Sequence, residues 1–204
     1  MTSCIVQSIY DERGLMTAET RSTMVAGAAR LLAERGLQAT SFSEVLAATG
    51  APRGSLYHHF PDGKDQLVAA AVELAGDRAV AYLDAQHGAD AVEITRRFLH
   101  IWREVLIRSD YRAGCAVLAV TVATDSPELH EHTAGVFRRW RGRLSELLQD
   151  GGLGEQDAAR FATTLVASSE GAVVLSRADR SLEPFELVAD QLLEQAELLM
   201  SRGR

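Results

Sequence analysis

The sequence predicts an all-α protein of nine helices, with a small N-terminal head and a larger helical body. Three observations lead to this fold class. Apolar residues recur at helical spacing along most of the 204-residue chain. Proline is scarce, with four in the chain, and no alternating apolar–polar run is long enough for a sheet. Glycine and proline mark the ends of the predicted helices, most clearly in the DGGLG loop at residues 150–154.

Composition limits the classes of protein to which the chain can belong. Hydrophobic residues make up 47% of it and charged residues 24%, which is enough for a large core. No stretch approaches the roughly 20 apolar residues of a membrane span, and the N-terminus lacks a signal-peptide layout. Cys4 and Cys115 stand far apart, which argues against a disulfide framework or a zinc site and fits a reducing cytoplasm. We expect Cys115 to be a buried structural thiol rather than a redox sensor.

Residues 40–67 form the stretch around which the chain is organised, and they predict helix, tight turn, helix, break and helix. Ser41, with Glu44 three residues later, predicts a capping box at the first of these helices. Gly50 ends that helix, because glycine adopts a left-handed backbone without steric cost. Pro52 is accepted at the first turn of the next helix. The spacing therefore predicts two short helices joined by a tight turn.

The second of these helices, residues 53–59, has an unusual outer face. Leu56 and Phe60 point to the core, which leaves small, aromatic and polar side chains outside. A duplex requires such a set, with a slim helix end for the major groove, a guanidinium for a guanine edge or a phosphate, and hydroxyls for backbone oxygens. An ordinary helical hairpin with a surface tyrosine is the alternative. The predicted contacts to double-stranded DNA are Ser41, Arg53, Gly54, Ser55, Tyr57, His58 and Lys64.

The run GAPRGSLYHHFPDGKDQL at residues 50–67 resembles the DNA-binding sequence of the TetR family of bacterial regulators. It is most similar to the LmrA/YxaF-like subset, which is related to the lincomycin-resistance and flavonoid-responsive repressors. The resemblance is strong from about residue 17 to residue 67 and architectural beyond. It implies a TetR-type fold, a homodimer on a DNA operator, and a body that binds a small effector.

The predicted helices divide the chain into three parts. Residues 1–16 form an N-terminal arm, residues 17–63 the helix-turn-helix domain, and residues 64–204 the ligand-binding and dimerisation body, with the fourth helix as the connector. The helices run from about residue 18 to 35, 42 to 49, 53 to 59, 64 to 83, 91 to 109, 115 to 124, 127 to 149, 155 to 178 and 184 to 202. We expect the arm to be a start-site extension without function; an arm that enters a minor groove is the alternative.

Charge is divided unevenly between these parts. The first 64 residues carry six basic and six acidic side chains, so the whole net charge of −7 belongs to residues 65–204. An acidic body repels DNA and discourages non-specific contact. Because the head is not strongly basic, we expect few phosphate contacts per subunit and a modest dependence of DNA affinity on salt.

The fifth to eighth helices carry most of the large side chains of the body. For any one of these residues an ordinary core position is the simpler interpretation, but the family resemblance implies that the set lines a cavity for a small apolar or aromatic effector. The predicted effector-binding residues are Phe98, Trp102, Val105, Phe137, Trp140, Phe161, Leu165 and Ser169. Glu170 lies among them in mid-helix and needs a partner, which is an arginine, a group across a dimer axis or a cationic ligand.

The last helix has two adjacent apolar stripes, which predicts two surfaces to bury against. One is the body of the same subunit, and the other is the same pair of helices in a second copy, in a two-fold four-helix bundle. A wholly intramolecular core is the alternative. The predicted interface residues are Gly171, Val188, Leu192, Ala196 and Leu199.

Several kinds of chemistry are missing from the sequence. His130 and His132 are two residues apart on a helix and face different directions, so they predict no metal site. No phosphate-binding glycine loop and no nucleophile with a plausible base is found, so we expect neither an enzyme nor a cofactor. The sequence predicts a ligand-responsive transcriptional repressor. The alternatives are a sensor or carrier whose head no longer binds DNA, and an activator, which differs only in operator position.

Overall fold

A computed structural model describes the backbone of residues 3–85 and 88–202, with side chains from residue 19 onwards. Within these residues all regular structure is helical, which confirms the predicted fold class for this part of the chain. The helices are α1 (Ser3–Arg35), α2 (Phe42–Thr49), α3 (Arg53–His59), α4 (Lys64–Asp84), α5 (Ala91–Arg108), α6 (Ala116–Thr121), α7 (Pro127–Asp150), α8 (Glu155–Asp179) and α9 (Glu183–Arg202).

Apart from α1 and α6, the predicted helix boundaries agree with the structure to within one residue. The prediction that the first helix begins near Ala18, capped by Thr17, was wrong, because α1 already begins at Ser3. Residues 3–16 contain no proline to prevent that extension. The side chains before residue 19 lie outside the described part, so the role of the N-terminal arm stays a prediction.

Helix α6 is shorter than expected, ending at Thr121 instead of Thr124. It begins after Cys115, whose Sγ accepts a hydrogen bond from the Leu118 amide at 3.3 Å and so serves as the N-cap. Beyond its end, the Thr124 hydroxyl accepts a hydrogen bond from the Ser126 amide at 3.1 Å and turns the chain into α7. A side-chain cap therefore sets the start of this helix, and the turn at Thr124 follows its end.

The turn between α2 and α3 forms as its residue types predict. The Ser41 hydroxyl accepts a hydrogen bond from the Glu44 amide at 3.2 Å, and Gly50 ends α2 with a φ of 69° and an N–H to the Leu46 carbonyl. The second hydrogen bond of the predicted capping box, from the Ser41 amide to the Glu44 carboxylate, does not form. The Glu44 carboxylate instead lies 2.9 Å from Arg35, at the end of α1. This ion pair ties α2 to α1 across the head.

The head shares a continuous core with the first part of α4. Its buried apolar side chains come from α1 to α4 and include Met24, Ala28, Leu32, Val45, Leu56, Phe60, Leu67 and Val68. Burial of such residues supplies most of the favourable free energy of folding, at about 25 cal/mol per Å² of apolar surface. Because α1 packs against α2, α3 and α4, it fixes the angle at which α3 is presented.

Helix α4 continues from the head into the body and crosses α7 closely. Gly76 makes this approach possible, because a Cβ atom there would lie 2.9 Å from the side chain of Val136. The Trp140 indole N–H also donates a hydrogen bond to the Gly76 carbonyl at 3.2 Å. Ion pairs from α7 to α4 join Arg143 to Asp84 and Arg139 to Glu73. These contacts connect α4 mechanically to the body.

The remainder of the body is built around α8, which packs between α7 and α9 and also contacts α5. Helices α5 and α9 are joined by an ion pair of 2.7 Å between Arg103 and Glu186. Within residues 3–85 and 88–202, no helix combines the length and apolar composition that a membrane crossing requires.

Candidate DNA-binding surface and body cavity

Helix α3 presents to solvent the face that the sequence assigns to DNA. Leu56 is fully buried, whereas 65% of the Tyr57 side chain is exposed. Arg53, Gly54 and His58 are also exposed, and Ser55 is half-buried. The helix thus offers a guanidinium, a phenol, an imidazole and a slim glycine position on one outer surface. We define this surface of α3 as the recognition face.

The Tyr57 ring is supported from α2 by Phe42. The ring of Phe42 meets the ring of Tyr57 edge to face, with centroids 6.0 Å apart and planes at 85°. Edge-to-face aromatic pairs are attractive, so this contact limits the directions in which Tyr57 points. Phe42 and Tyr57 also border a groove of about 420 Å³ between α2 and α3, together with Arg53.

Two of the predicted phosphate ligands already have partners within the chain. The Lys64 ammonium donates a hydrogen bond to the Leu37 carbonyl at 2.8 Å. The Ser41 hydroxyl accepts from the Glu44 amide and lies 2.8 Å from the Ser43 hydroxyl. An ammonium has three donors, so this bond leaves Lys64 capacity for a phosphate. The DNA contacts of both residues stay predictions, and Lys64 has a structural role that the sequence did not indicate.

Charge at the end of α3 is reduced by burial. Desolvation lowers the pKa of His59, and the nearby His58 and Arg21 lower it further. The Arg21 guanidinium lies 5.4 Å from the centre of the Phe60 ring, in a cation–π contact that places its charge beneath the end of α3. His59 is thus held towards its neutral form, and His58 is the exposed imidazole of the pair.

The body has a wide cavity of about 760 Å³ between α6, α7 and α8 that is open to solvent along α8. Its walls are almost entirely apolar, with Glu170 and Arg141 as the charged residues that border it. The lining residues are Leu118, Phe137, Arg141, Thr163, Val166, Ala167, Glu170, Gly171, Val174 and Leu175. This volume is in the range of small-molecule sites, and so is the combination of apolar walls with few polar groups.

Of the predicted effector-binding residues, Phe137 lines this cavity, and the assignment of the set stays a prediction. Val105 is half-buried on α5, and the remaining six form ordinary core: Phe98, Trp102, Trp140, Phe161, Leu165 and Ser169. The Ser169 hydroxyl is satisfied by the Leu165 carbonyl of its own helix, at 2.7 Å. The rotation of α8 about its axis explains why residues 161, 165 and 169 do not line the cavity. Its face at residues 161, 165 and 169 turns inwards, and its face at residues 163, 167 and 171 borders the cavity.

Glu170 is a buried carboxylate without a hydrogen-bond partner at either oxygen. Only 7% of the residue is exposed. Desolvation raises the pKa of Glu170 to about 7, although the neighbouring Cys115 thiol acts slightly in the opposite direction. Cys115 is buried, and burial and the Glu170 charge together raise the pKa of its thiol well above the usual value, which favours the expected structural role.

Comparison with known proteins identifies both halves of the chain. Residues 24–71 match the profile "Bacterial regulatory proteins, tetR family", and residues 91–191 match "Transcriptional regulator LmrA/YxaF-like, C-terminal domain". An uncharacterised HTH-type transcriptional regulator of Mycobacterium tuberculosis is 36% identical over 179 residues, which cover 84% of this chain and 91% of that protein. The chain belongs to the TetR family. It is thus a helix-turn-helix transcriptional regulator and not an enzyme, and the resemblance to the LmrA/YxaF-like subset is confirmed.

Two further similarities bear on the separate parts of this TetR-family protein. Over 48 residues it is 48% identical to the HTH-type transcriptional repressor KstR2 of Rhodococcus jostii, which covers 24% of this chain and 23% of that protein. A TetR transcriptional regulator of Chloroflexus aurantiacus has a similar crystal structure, with a TM-score of 0.74 and 31% identity, covering 88% of this chain and 94% of that one. TetR-family regulators bind DNA operators and form dimers.

The predicted dimer interface agrees only in part with the exposed surface of this TetR-family chain. Leu192 and Ala196 are buried in the chain's own core, which leaves them no surface for a second copy. Gly171 is exposed, with open space around it, and Val188 and Leu199 are half-buried. For these three residues the interface assignment stays a prediction.

The exposed apolar residues of α8 and α9 are Val174, Leu175, Leu187 and Leu198. Among the described side chains, no group of three or more His, Cys, Asp or Glu residues is arranged to hold a metal ion. The candidate functional surfaces of this TetR-family protein are the recognition face, the cavity, and the exposed apolar faces of α8 and α9, and Val174 and Leu175 belong to both of the last two.

Proposed function

We propose that this protein is a homodimeric transcriptional repressor that leaves a roughly palindromic operator when a small effector enters its body. The observation that carries the proposal is the recognition face, in which an exposed Arg53 and an exposed Tyr57 stand on a short helix supported by Phe42. An arginine at the start of a recognition helix reads guanine or binds phosphate, and a tyrosine hydroxyl reaches the DNA backbone.

The repressor role is favoured by the Rhodococcus jostii relative, which is 48% identical over 48 residues and is named as a repressor. A repressor of this kind reads two half-sites with two heads, so the recognition helices must lie about 34 Å apart in successive major grooves. On α9, the exposed Leu187 and Leu198 offer a second copy a surface to bury and do not line the cavity. A regulator of a bacterial chromosome works in the cytoplasm, and we expect this protein there.

We propose that the effector acts by shifting α4, which runs from the recognition head to the body. Ion pairs and the close crossing at Gly76 join α4 to α7, and α7 forms one wall of the cavity. An effector that fits the cavity better in one arrangement of α7 than in another changes the relative population of the two. Moving α4 changes the separation of the two heads, so that both no longer fit the operator.

The test is a gel shift with the DNA that flanks the protein's own gene. Wild type is expected to bind a specific fragment, and Arg53→Ala is expected to lose roughly 5- to 150-fold in affinity, since one good base or phosphate contact is worth about 1–3 kcal/mol. Arg108→Ala is the matched control, because it also removes one exposed arginine but lies at the end of α5. No specific fragment at all would favour a sensor or carrier without DNA affinity, whereas equal affinities of the three proteins would exclude Arg53 from the contact with DNA.

A further inference from the structure

The cavity between α6, α7 and α8 combines an apolar lining with one carboxylate that has no partner. A charged group buried without a partner carries a large desolvation cost, and proteins relieve such a cost by protonation or by pairing. Both oxygens of Glu170 are unsatisfied, and the residue lines the cavity. From this juxtaposition we propose that the cavity binds an apolar molecule with a single protonated amine, and that the ammonium pairs with Glu170.

The geometry allows the ammonium to reach Glu170 from the cavity. The side chain forms part of the wall, while its two oxygens are shielded from solvent beside Cys115. A rotation of the side chain turns the carboxylate into the cavity, where an ammonium donates hydrogen bonds to it. Charge-assisted hydrogen bonds of this kind are about twice as strong as those between neutral groups. The occupant therefore supplies the partner that the chain itself does not.

The rest of the lining limits the shape and charge of the occupant. Leu118, Phe137 and Val166 provide apolar walls, so most of the molecule is aromatic or aliphatic. The Arg141 guanidinium is exposed at the cavity and repels a second cationic group. A monocation with an apolar body fits both features, whereas an organic anion pairs with Arg141 and leaves Glu170 uncompensated.

This inference rests on the proposed function only in taking the cavity as the effector site. It is tested with three probes of one skeleton, namely biphenyl-4-ylmethylamine, biphenyl-4-ylmethanol and biphenyl-4-carboxylate. Binding is measured at pH 8 by calorimetry and by tryptophan fluorescence, since the ring of Trp140 lies 5.5 Å from that of the cavity residue Phe137. We expect the amine to bind wild type at least tenfold more tightly than the alcohol, and the carboxylate to bind most weakly.

Two variants test whether Glu170 causes the preference for the amine over the alcohol. In Glu170→Gln the affinity of the amine is expected to fall to that of the alcohol. The affinity of the alcohol is expected to change by less than twofold. Glu155→Gln removes an exposed carboxylate at the start of the same helix and is expected to keep the preference. The three affinities in wild type test the proposal even where Glu170→Gln fails to fold.

Four results would overturn the proposal. They are equal affinity of amine and alcohol for wild type, a preference that survives in Glu170→Gln, tightest binding of the carboxylate, and conversion of a dimer to monomers by Glu170→Gln without amine preference in wild type. The last of these would assign Glu170 to a contact with a second copy. A gel shift without probes separates this inference from the proposed function. A protein that binds the operator but does not prefer the amine contradicts only this inference. A protein that prefers the amine but does not bind the operator contradicts only the proposed function.

Discussion

The guanidinium of Arg177 on α8 donates a hydrogen bond to the carbonyl of Glu34, in the last turn of α1, over 3.3 Å. The same nitrogen donates to the Arg112 carbonyl at 2.8 Å. Close by, the Gly114 amide donates to the Ala33 carbonyl at 2.9 Å. The body therefore holds the end of a head helix directly, in addition to the connection through α4. A positive charge at a helix C-terminus also interacts favourably with the negative end of the helix dipole.

Replacing Arg177 with glutamine is expected to destabilise the protein by about 1–3 kcal/mol, because a charged donor to two carbonyls is lost. The measurement is urea unfolding at pH 7. Arg180→Gln is the matched control, since Arg180 pairs with Asp110 at the surface and both side chains are more than half exposed. That ion pair contributes about 0–1 kcal/mol. Equal losses in the two variants would show that Arg177 has no special role in joining body and head.

Lys64 has a structural role and a predicted role in phosphate binding, and two different measurements on Lys64→Ala report on them. Lys64→Ala is expected to weaken binding to all DNA sequences and to reduce the slope of log affinity against log salt by about one, because one phosphate contact is lost. It also removes the hydrogen bond to Leu37, so the free energy of unfolding falls by about 1 kcal/mol. Lys64→Arg keeps the charge and serves as the control. An unchanged salt slope with lower stability would leave Lys64 only its structural role.

Glu170 makes stability depend on pH. Because burial raises the pKa of Glu170 from 4.5 to about 7, the folded protein keeps a proton that the unfolded chain loses between these values. The contribution of Glu170 to the free energy of unfolding is therefore greatest below pH 4.5. It falls by about 3 kcal/mol in total as pH rises towards 7, and it stays low above that pH. The charged or titratable groups near it are Cys115 on the α6 side and Arg141 on α7.

The measurement is urea unfolding of wild type and Glu170→Gln between pH 5 and pH 8. The glutamine variant is expected to gain stability relative to wild type as pH rises, with most of the gain complete by pH 8. The difference between the two proteins removes the contributions of the other titrating groups, provided that they act independently of Glu170. Parallel stability curves across this range would contradict the assignment.

The exposed leucines of α9 test the homodimer. Leu187 is 66% exposed and Leu198 is 58% exposed, and neither lines the cavity. Leu187→Glu combined with Leu198→Glu is expected to convert a dimer to monomers in sedimentation velocity, because carboxylates would be buried at the interface. Val122→Glu is the control, at a residue that is 74% exposed and follows α6. A double variant with the wild-type mass would place the interface elsewhere.

Local chemistry made the head predictable from the sequence. A serine cap, a glycine with positive φ and a proline at a helix start each act within a few residues, and Ser41, Gly50 and Pro52 form the turn that they predict. The outward direction of Tyr57 followed from the inward direction of Leu56 and from helical periodicity. What the sequence did not indicate was the support of Tyr57 by Phe42, because a residue counted as core can also border a functional surface.

The cavity could not be predicted in the same way. Periodicity identifies which face of a helix is buried, but it does not show where two buried faces fail to fill the space between them. Trp102 and Phe161 were therefore assigned to a cavity although they pack in the core, while Val166 and Val174 were missed. The signal that the sequence did contain was Glu170, since a carboxylate among valines and alanines indicates a special environment.

The two apolar stripes of α9 show a similar ambiguity. Both were recognised, but the stripe assigned to the partner includes Leu192 and Ala196, which face the chain's own core. The exposed leucines, Leu187 and Leu198, each follow a glutamate and were not singled out. Two neighbouring stripes on one helix differ by a rotation of less than half a turn, and only the packing of α5 and α8 decides which one is inside.

The central claim is that the recognition face enters DNA as one of a symmetric pair, and footprinting on genomic DNA tests it most directly. Fragments that wild type selects from the genome are compared with those that Arg53→Ala selects, and the enriched fragments are then footprinted. We predict two protected half-sites related by two-fold symmetry, with centres one helical turn or a multiple of it apart, and their loss in Arg53→Ala. A single unsymmetric site, or the same fragments with both proteins, would contradict the account.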